Sequence, residues 1–138
     1  MANLHPQLNL PVTAADICAL RRAVGWSELE ADYPAALNGY WATVGVRDEA
    51  GRLVGWGAIL SDGVRHAVLL DVIVHPARQR QGLGRRMLQT AIDHCRRQGI
   101  TLIHVDFTAD NIPFYRACGF QIGLGGLINL ESEAGPDR

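Results

Sequence analysis

The sequence contains no lysine: all thirteen basic residues are arginine, a bias that carries no functional reading by itself. Cysteine is scarce. Cys18, Cys95 and Cys118 are odd in number and far apart, which excludes a disulfide framework and any metal-ligand spacing. The five histidines are scattered, so no metal is expected. No apolar run approaches the roughly 20 residues needed to cross a bilayer. The opening Met-Ala-Asn-Leu-His-Pro also lacks the charged and apolar regions of a signal peptide. The expectation is therefore a cytoplasmic protein with no membrane partner. A net charge of −1 argues against a broad nucleic-acid surface, so no nucleic acid is expected as a partner. Internal repeats and linkers are absent.

Apolar residues make up 48% of the chain, the composition of an ordinary globule. Residues 1–138 read as one domain, large enough to bury about two-thirds of its unfolded surface. Residues 131–138 are polar and read as a frayed tail.

One stretch organises the rest. Residues 68–74 are apolar except for Asp71, the pattern of a buried strand, and His75-Pro76 stops it. A polar loop with Gly82 and Gly84 follows. Apolar residues then recur at Leu83, Met87, Leu88, Ala91, Ile92 and Cys95, on one face of a helix. The unit is strand, glycine-bearing loop, helix. The first amides of a helix have no internal partner and the dipole makes that end partly positive. Bare glycine amides there suit a diphosphate, and Arg78, Arg80, Arg85 and Arg86 add positive charge. A glycine-bearing turn also serves simply as a tight connection. The loop is neither a Walker loop nor Gly-x-Gly-x-x-Gly.

The loop Gln79-Arg80-Gln81-Gly82-Leu83-Gly84, preceded by Val-His-Pro, resembles the acetyl-CoA-binding signature Gln/Arg-x-x-Gly-x-Gly/Ala of the GNAT superfamily of N-acyltransferases. Downstream, Phe114-Tyr115-Arg-Ala-Cys-Gly119-Phe120 resembles the family's late Phe-Tyr-x-x-x-Gly-Phe motif. The two motifs are separated by about one strand, and the resemblance extends over most of the chain.

Local pattern predicts strands over residues 8–12, 40–47, 53–60, 68–74 and 100–107, and a terminal hairpin of 121–124 and 127–130 around Gly125-Gly126. Helices are predicted from the capping box at Thr13 to about residue 24, from a second capping box at Ser27 to about 38, and over 83–98 and 112–118. Their order is that of GNAT proteins. The resemblance implies an α/β (α+β) fold: a mixed, largely antiparallel sheet of six to seven strands flanked by about four helices.

The resemblance also implies a site. Val72, Ile73 and Val74 would hydrogen-bond the pantetheine arm of acetyl-CoA like one more strand. The amides of Gln81, Gly82, Leu83, Gly84 and Arg85 would take the diphosphate, with Gln79 and Arg80 beside it. Asn111 and Phe114 belong to the same cofactor side, although Thr108 stands where many members carry an asparagine and Asn111 also suits a helix cap. Trp26, Leu29 and Tyr33 are candidate acceptor-pocket walls or ordinary packing residues.

Acyl transfer to an amine needs a neutral amine, a polarised carbonyl oxygen and a stabilised leaving thiolate. Tyr115 is the candidate acid for the thiolate, and a backbone N–H near Ile73 or Val74 the candidate for polarisation. Asp71 is the only ionisable group in the buried strand. It either draws in or deprotonates the amine or is tied to neighbouring backbone. Period-two geometry puts Asp71 and Ile73 on one face and Leu70, Val72 and Val74 on the other.

The expected activity is acetyl transfer from acetyl-CoA to a primary amine of a small molecule, by direct attack in a ternary complex without metal. None of the cysteines reads as an activated nucleophile. The competing readings are a non-catalytic acyl-CoA-binding or sensing module, a protein N-acetyltransferase, and a nucleotide- or RNA-binding protein using the arginine loop. A homodimer is common in such folds, and the sequence leaves the oligomeric state open.

Overall fold

The computed structural model describes residues 4–131. Apart from Glu131, the predicted tail therefore lies outside the described residues.

Five strands form one sheet in chain order: β1 (Gln7–Leu8), β2 (Ala42–Arg47), β3 (Leu53–Ser61), β4 (His66–Val74) and β5 (Leu102–Val105). The first three pairings are antiparallel and β4–β5 is parallel. Four helices complete the fold: α1 (Ala14–Ala23), α2 (Tyr33–Gly39), α3 (Leu83–Arg97) and α4 (Ile112–Ala117).

Helix α3 follows its sequence pattern. Leu83, Met87, Leu88, Ala91 and Cys95 are buried against Val44, Val46, Ile59 and Leu69, forming one hydrophobic cluster. The larger of these, Leu83, Met87 and Leu88, each contribute about 1.5–3 kcal/mol on burial. Helix α1 and Tyr33 of α2 build a second cluster, in which Ile17, Cys18, Leu20 and Tyr33 pack on Leu53, Trp56 and Ile73. The sheet is thus sandwiched between α3 and the α1–α2 pair.

The capping box at Thr13 forms as predicted: Thr13 Oγ1 accepts from Asp16 N at 3.1 Å and Thr13 N donates to Asp16 at 3.0 Å. The second predicted box does not nucleate a helix. Helix α2 begins only at Tyr33, and Leu29 has a left-handed φ of 55°. The reason lies in α1. Its Arg21 Nε donates to the Ser27 carbonyl, and Cys18 Sγ donates to the Glu28 carbonyl at 3.1 Å. Those carbonyls would otherwise have accepted the first helical bonds.

Two other expectations are corrected. The opening strand pairs only at Gln7–Leu8. Residues 121–130 form no hairpin, so the sheet has five strands among the described residues rather than six to seven. Leu124, Leu127, Ile128 and Leu130 are exposed there. Gly123, Gly125 and Gly126 leave the segment with few side chains to anchor, and glycine weakens a strand interior.

Candidate active site

The site arises where β4 parts from β5. The parallel ladder runs from His66–Leu102 to Leu69–Val105 and stops, while β4 continues to Val74. Beyond that point the β4 edge faces no strand among the described residues. The gap is a cleft of about 120 Å³. Leu69, Asp71 and Val72 line it from β4, residues 105–108 from the end of β5, Asn111 and Tyr115 from around α4, and Trp26 from the α1–α2 link.

A bulge shapes the β4 wall. Trp56 pairs with Ile73 and Ala58 with Leu70, so three steps on β4 oppose two on β3. Asp71 takes up the extra residue with φ 52°, a left-handed conformation that an aspartate adopts at a cost. The bulge corrects the face assignment. Asp71 and Ile73 do share the α1–α2 side, and Val72 and Val74 pack toward α3, but Leu70 joins the α1–α2 side instead of following Val72.

Asp71 is tied to side chains rather than to backbone. Its Oδ1 lies 3.4 Å from Arg21 Nη1, and its Oδ2 accepts from Tyr33 Oη at 3.2 Å. Arg21 Nη1 also donates to Tyr33 Oη at 3.1 Å, closing a triangle. The guanidinium lies 5.3 Å from the Trp26 ring centroid and 5.9 Å from that of Tyr33. Burial, and then the negative charge of Asp71, push the Tyr33 phenol above its ordinary range, so it stays a hydrogen-bond donor. Arg21 escaped the sequence reading because an arginine near a helix end normally reads as solvated. Its signal was position. Arg21 sits four residues after Ile17 and three after Cys18, on the buried stripe of α1.

Tyr115 is 6% exposed. Its ring stacks on Phe107 at 4.4 Å and meets Phe114 and Phe120 edge-on at 5.0 and 5.6 Å, which fixes its direction. Asn111 makes no capping bond to α4 and lines the cleft. Of the other predicted wall residues, Trp26 lines the cleft, Tyr33 is buried behind Asp71, and Leu29 is exposed outside it. Asp106, Phe107 and Thr108 also line it; of these the sequence marks only Thr108, as the place where many GNAT members carry an asparagine, and Asp106 and Phe107 escape notice because they follow a strand whose end is set by pairing.

The glycine loop leads from this cleft to α3. Gln79 Nε2 donates to the Val74 carbonyl at 2.9 Å, and Gln81 Nε2 to that of Ala77 at 3.3 Å, so both amides fold the loop. Arg80 and Gly82 have φ of 62° and 81°. The first helical bond of α3 runs from Arg86 N to Gly82 O, leaving the amides of Leu83, Gly84 and Arg85 without helical partners. The Leu83 side chain is buried, so its backbone is what it offers. A Cβ on Gly84 would meet Phe114 at 3.3 Å and Val74 at 3.4 Å, so this glycine also permits close packing of α4 on α3. Two of the four arginines are structural: Arg78 pairs with Glu49 at 3.3 Å, and Arg86 donates to the Leu4 carbonyl at 2.6 Å. Arg80 and Arg85 remain exposed.

Residues 14–120 match the model of the Acetyltransferase (GNAT) family. The chain belongs to the GNAT acetyltransferase family. Among curated GNAT relatives, serotonin N-acetyltransferase 2, chloroplastic, of Oryza sativa subsp. japonica is 33% identical over 101 residues, covering 73% of this chain and 46% of that protein. The L-methionine sulfoximine/L-methionine sulfone acetyltransferase of Salmonella typhimurium is 31% identical over 116 residues, covering 75% and 68%. The chain spans about half the length of the rice relative. The GNAT N-acetyltransferase YhbS of Escherichia coli, solved in complex with CoA, shares the fold with a TM-score of 0.70 at 21% identity, over 86% of this chain and 68% of that one. The family match spans both the parted strands and the glycine loop. No helix among the described residues is long and apolar enough to cross a membrane.

Proposed function

We propose that this protein transfers an acetyl group from acetyl-CoA to a primary amine of a small molecule, by direct attack in a ternary complex. The observation that carries the reading is the β4–β5 separation, which brings Tyr115 and Asp71 to one cleft beside an open strand edge. The backbone of Val72 and Ile73 would hold the pantetheine arm on that edge, with Val74 at its end. The amides of residues 81–85 and the charges of Arg80 and Arg85 would hold the diphosphate, while Gln79 keeps the loop folded. Asn111 and Phe114 wall the cofactor side, and Trp26 the acceptor side.

Tyr115 donates a hydrogen bond or proton to the departing thiolate. The backbone N–H of Ile73 or Val74 polarises the carbonyl oxygen as it gains charge. Asp71 draws in the ammonium form of the acceptor, whose proton then leaves through water. Direct attack is supported by the thiols: burial raises Cys18, Cys95 and Cys118 above the ordinary thiol range, away from nucleophilic activation. The same free cysteines support a reducing cytoplasm. Relatives named for serotonin and for L-methionine sulfoximine support a compact amine as acceptor.

The test is thermal unfolding with acetyl-CoA on the native protein and on Gly84→Glu, each against its own unliganded baseline. A ligand at about a hundredfold excess over its Kd adds roughly 2.7 kcal/mol to the folded state. For a chain of this size that raises Tm by about 9 °C. The rise is expected in the native protein and lost in the variant, whose carboxylate enters the anion site. No rise at saturating acetyl-CoA sinks the reading.

A further inference from the structure

We infer that Arg21 is a positioning residue for acetyl-CoA: acting through Asp71, it holds the β4 bulge that turns the backbone of Val72 and Val74 to the open strand edge. The inference rests on the acetyl-transfer reading and adds a residue to it. Asp71 and Val72 together oppose the single residue Gly57 on β3. Where the first residue of such a bulge is left-handed it is ordinarily glycine, which takes that conformation without steric cost. Here it is an aspartate, at φ 52°. A side chain in that conformation persists only where its surroundings over-determine it, and Gly57 has no side chain to offer.

The restraint comes from helices α1 and α2. Both Asp71 oxygens are occupied, Oδ1 by Arg21 Nη1 at 3.4 Å and Oδ2 by Tyr33 Oη at 3.2 Å. Arg21 is itself immobilised. Its side chain is 7% exposed, its Nε donates to the Ser27 carbonyl, its Nη1 also donates to Tyr33 Oη, and the Trp26 ring lies over it. The backbone at residue 71 is therefore held through its side chain. Just beyond the bulge, His75 N donates to the Val54 carbonyl of β3 at 2.8 Å. Strand residues alternate the edge to which they turn N–H and C=O, so Val74 and Val72 turn theirs away from β3, to the side that β5 has left. The Val74 carbonyl accordingly meets Gln79 of the glycine loop. Without the extra residue at 71 the alternation shifts by one and those groups turn toward β3. The triangle thus decides which backbone groups the open edge presents.

The experiment measures the Kd of acetyl-CoA by titration calorimetry, well below each variant's Tm, because substitutions at Asp71 also touch the group that draws in the amine and turnover would mix the two effects. Asp71→Gly is expected to bind within about threefold of the native protein, since glycine takes the left-handed conformation untethered. Asp71→Ala, with a Cβ at that position and no tether, is expected to bind about tenfold more weakly. Arg21→Met, which frees Asp71, is expected to match Asp71→Ala, and Arg21→Met/Asp71→Gly to return to within about threefold of Asp71→Gly. A triangle that only stabilises the fold predicts no such rescue, because glycine and alanine lose the same side-chain contacts. If Arg21→Met fails to fold, the double variant, which orphans no charge, decides: a tenfold loss against Asp71→Gly shows that Arg21 acts other than through Asp71 and overturns the inference. Equal affinities of Asp71→Gly and Asp71→Ala, or native affinity in Arg21→Met, overturn it too, while acetyl transfer stands. No binding of acetyl-CoA to the native protein removes the acetyl-transfer reading, and this inference with it.

Discussion

Arg21→Met tests whether the buried triangle behind the cleft holds the site together. The substitution keeps the length and apolar stem of the side chain, so the packing of α1 on β3 is largely preserved. It removes the donors to the Ser27 carbonyl and the Tyr33 hydroxyl and the cation 3.4 Å from Asp71. Removing one partner of a fully buried pair costs about 3–5 kcal/mol, because the other charge is left behind. Asp71 is one-quarter exposed and recovers part of its hydration, so the expected loss falls to about 2–3 kcal/mol. For this chain length that lowers Tm by about 7–10 °C. Much of the loss is the orphaned Asp71 charge, so the double variant Arg21→Met/Asp71→Asn is expected to be more stable than Arg21→Met alone by about 1 kcal/mol or more. Urea unfolding of the four proteins in the cycle, with equal m-values, gives the coupling directly. A single-variant loss under about 0.5 kcal/mol, the range of ordinary surface changes, would refute the triangle as a structural unit. Additive losses in the cycle would refute Arg21–Asp71 coupling.

Two further predictions follow from the same geometry. Tyr115→Phe keeps the stacking on Phe107 and the edge contacts, so Tm is expected to change by only a few degrees while turnover with acetyl-CoA falls about 100-fold or more; unchanged turnover in a stopped thiol-release assay removes Tyr115 from the proton path. Asp62 accepts backbone hydrogen bonds from Arg65, Val64 and His66 in the β3–β4 turn, which hold its carboxyl down at about 2. Its folded-state value lies below its unfolded one of 3.8, so the stability it contributes is present above that value and is lost as pH falls toward about 2. Asp62→Asn is therefore expected to flatten the acid side of the stability curve in that window, as read by urea unfolding at stepped pH, and an unchanged slope contradicts it.

The sequence by itself determined what depends on neighbours along the chain. The apolar stripe of α3, the capping box at Thr13, the buried run of β4 and the glycine loop before α3 are all short-range patterns, and the structure carries each of them. Both motifs that resembled the family were legible for the same reason: a strand, a loop and a helix start are local objects. Tertiary structure decided the rest. Residues 27–30 had the letters of a helix start, but Cys18 and Arg21 of α1 claimed their carbonyls from another element. Residues 121–130 read as two short strands around the Gly125-Gly126 turn, but a strand exists only by pairing, and no ladder forms there among the described residues. The bulge at Asp71 comes from a mismatch in register with β3, invisible in β4 alone. Arg21 and Tyr33, the partners of Asp71, are separated from it by 50 and 38 residues in the chain. Periodicity reports which face a residue occupies. It does not report which distant charge that face will meet, because that depends on how the elements pack.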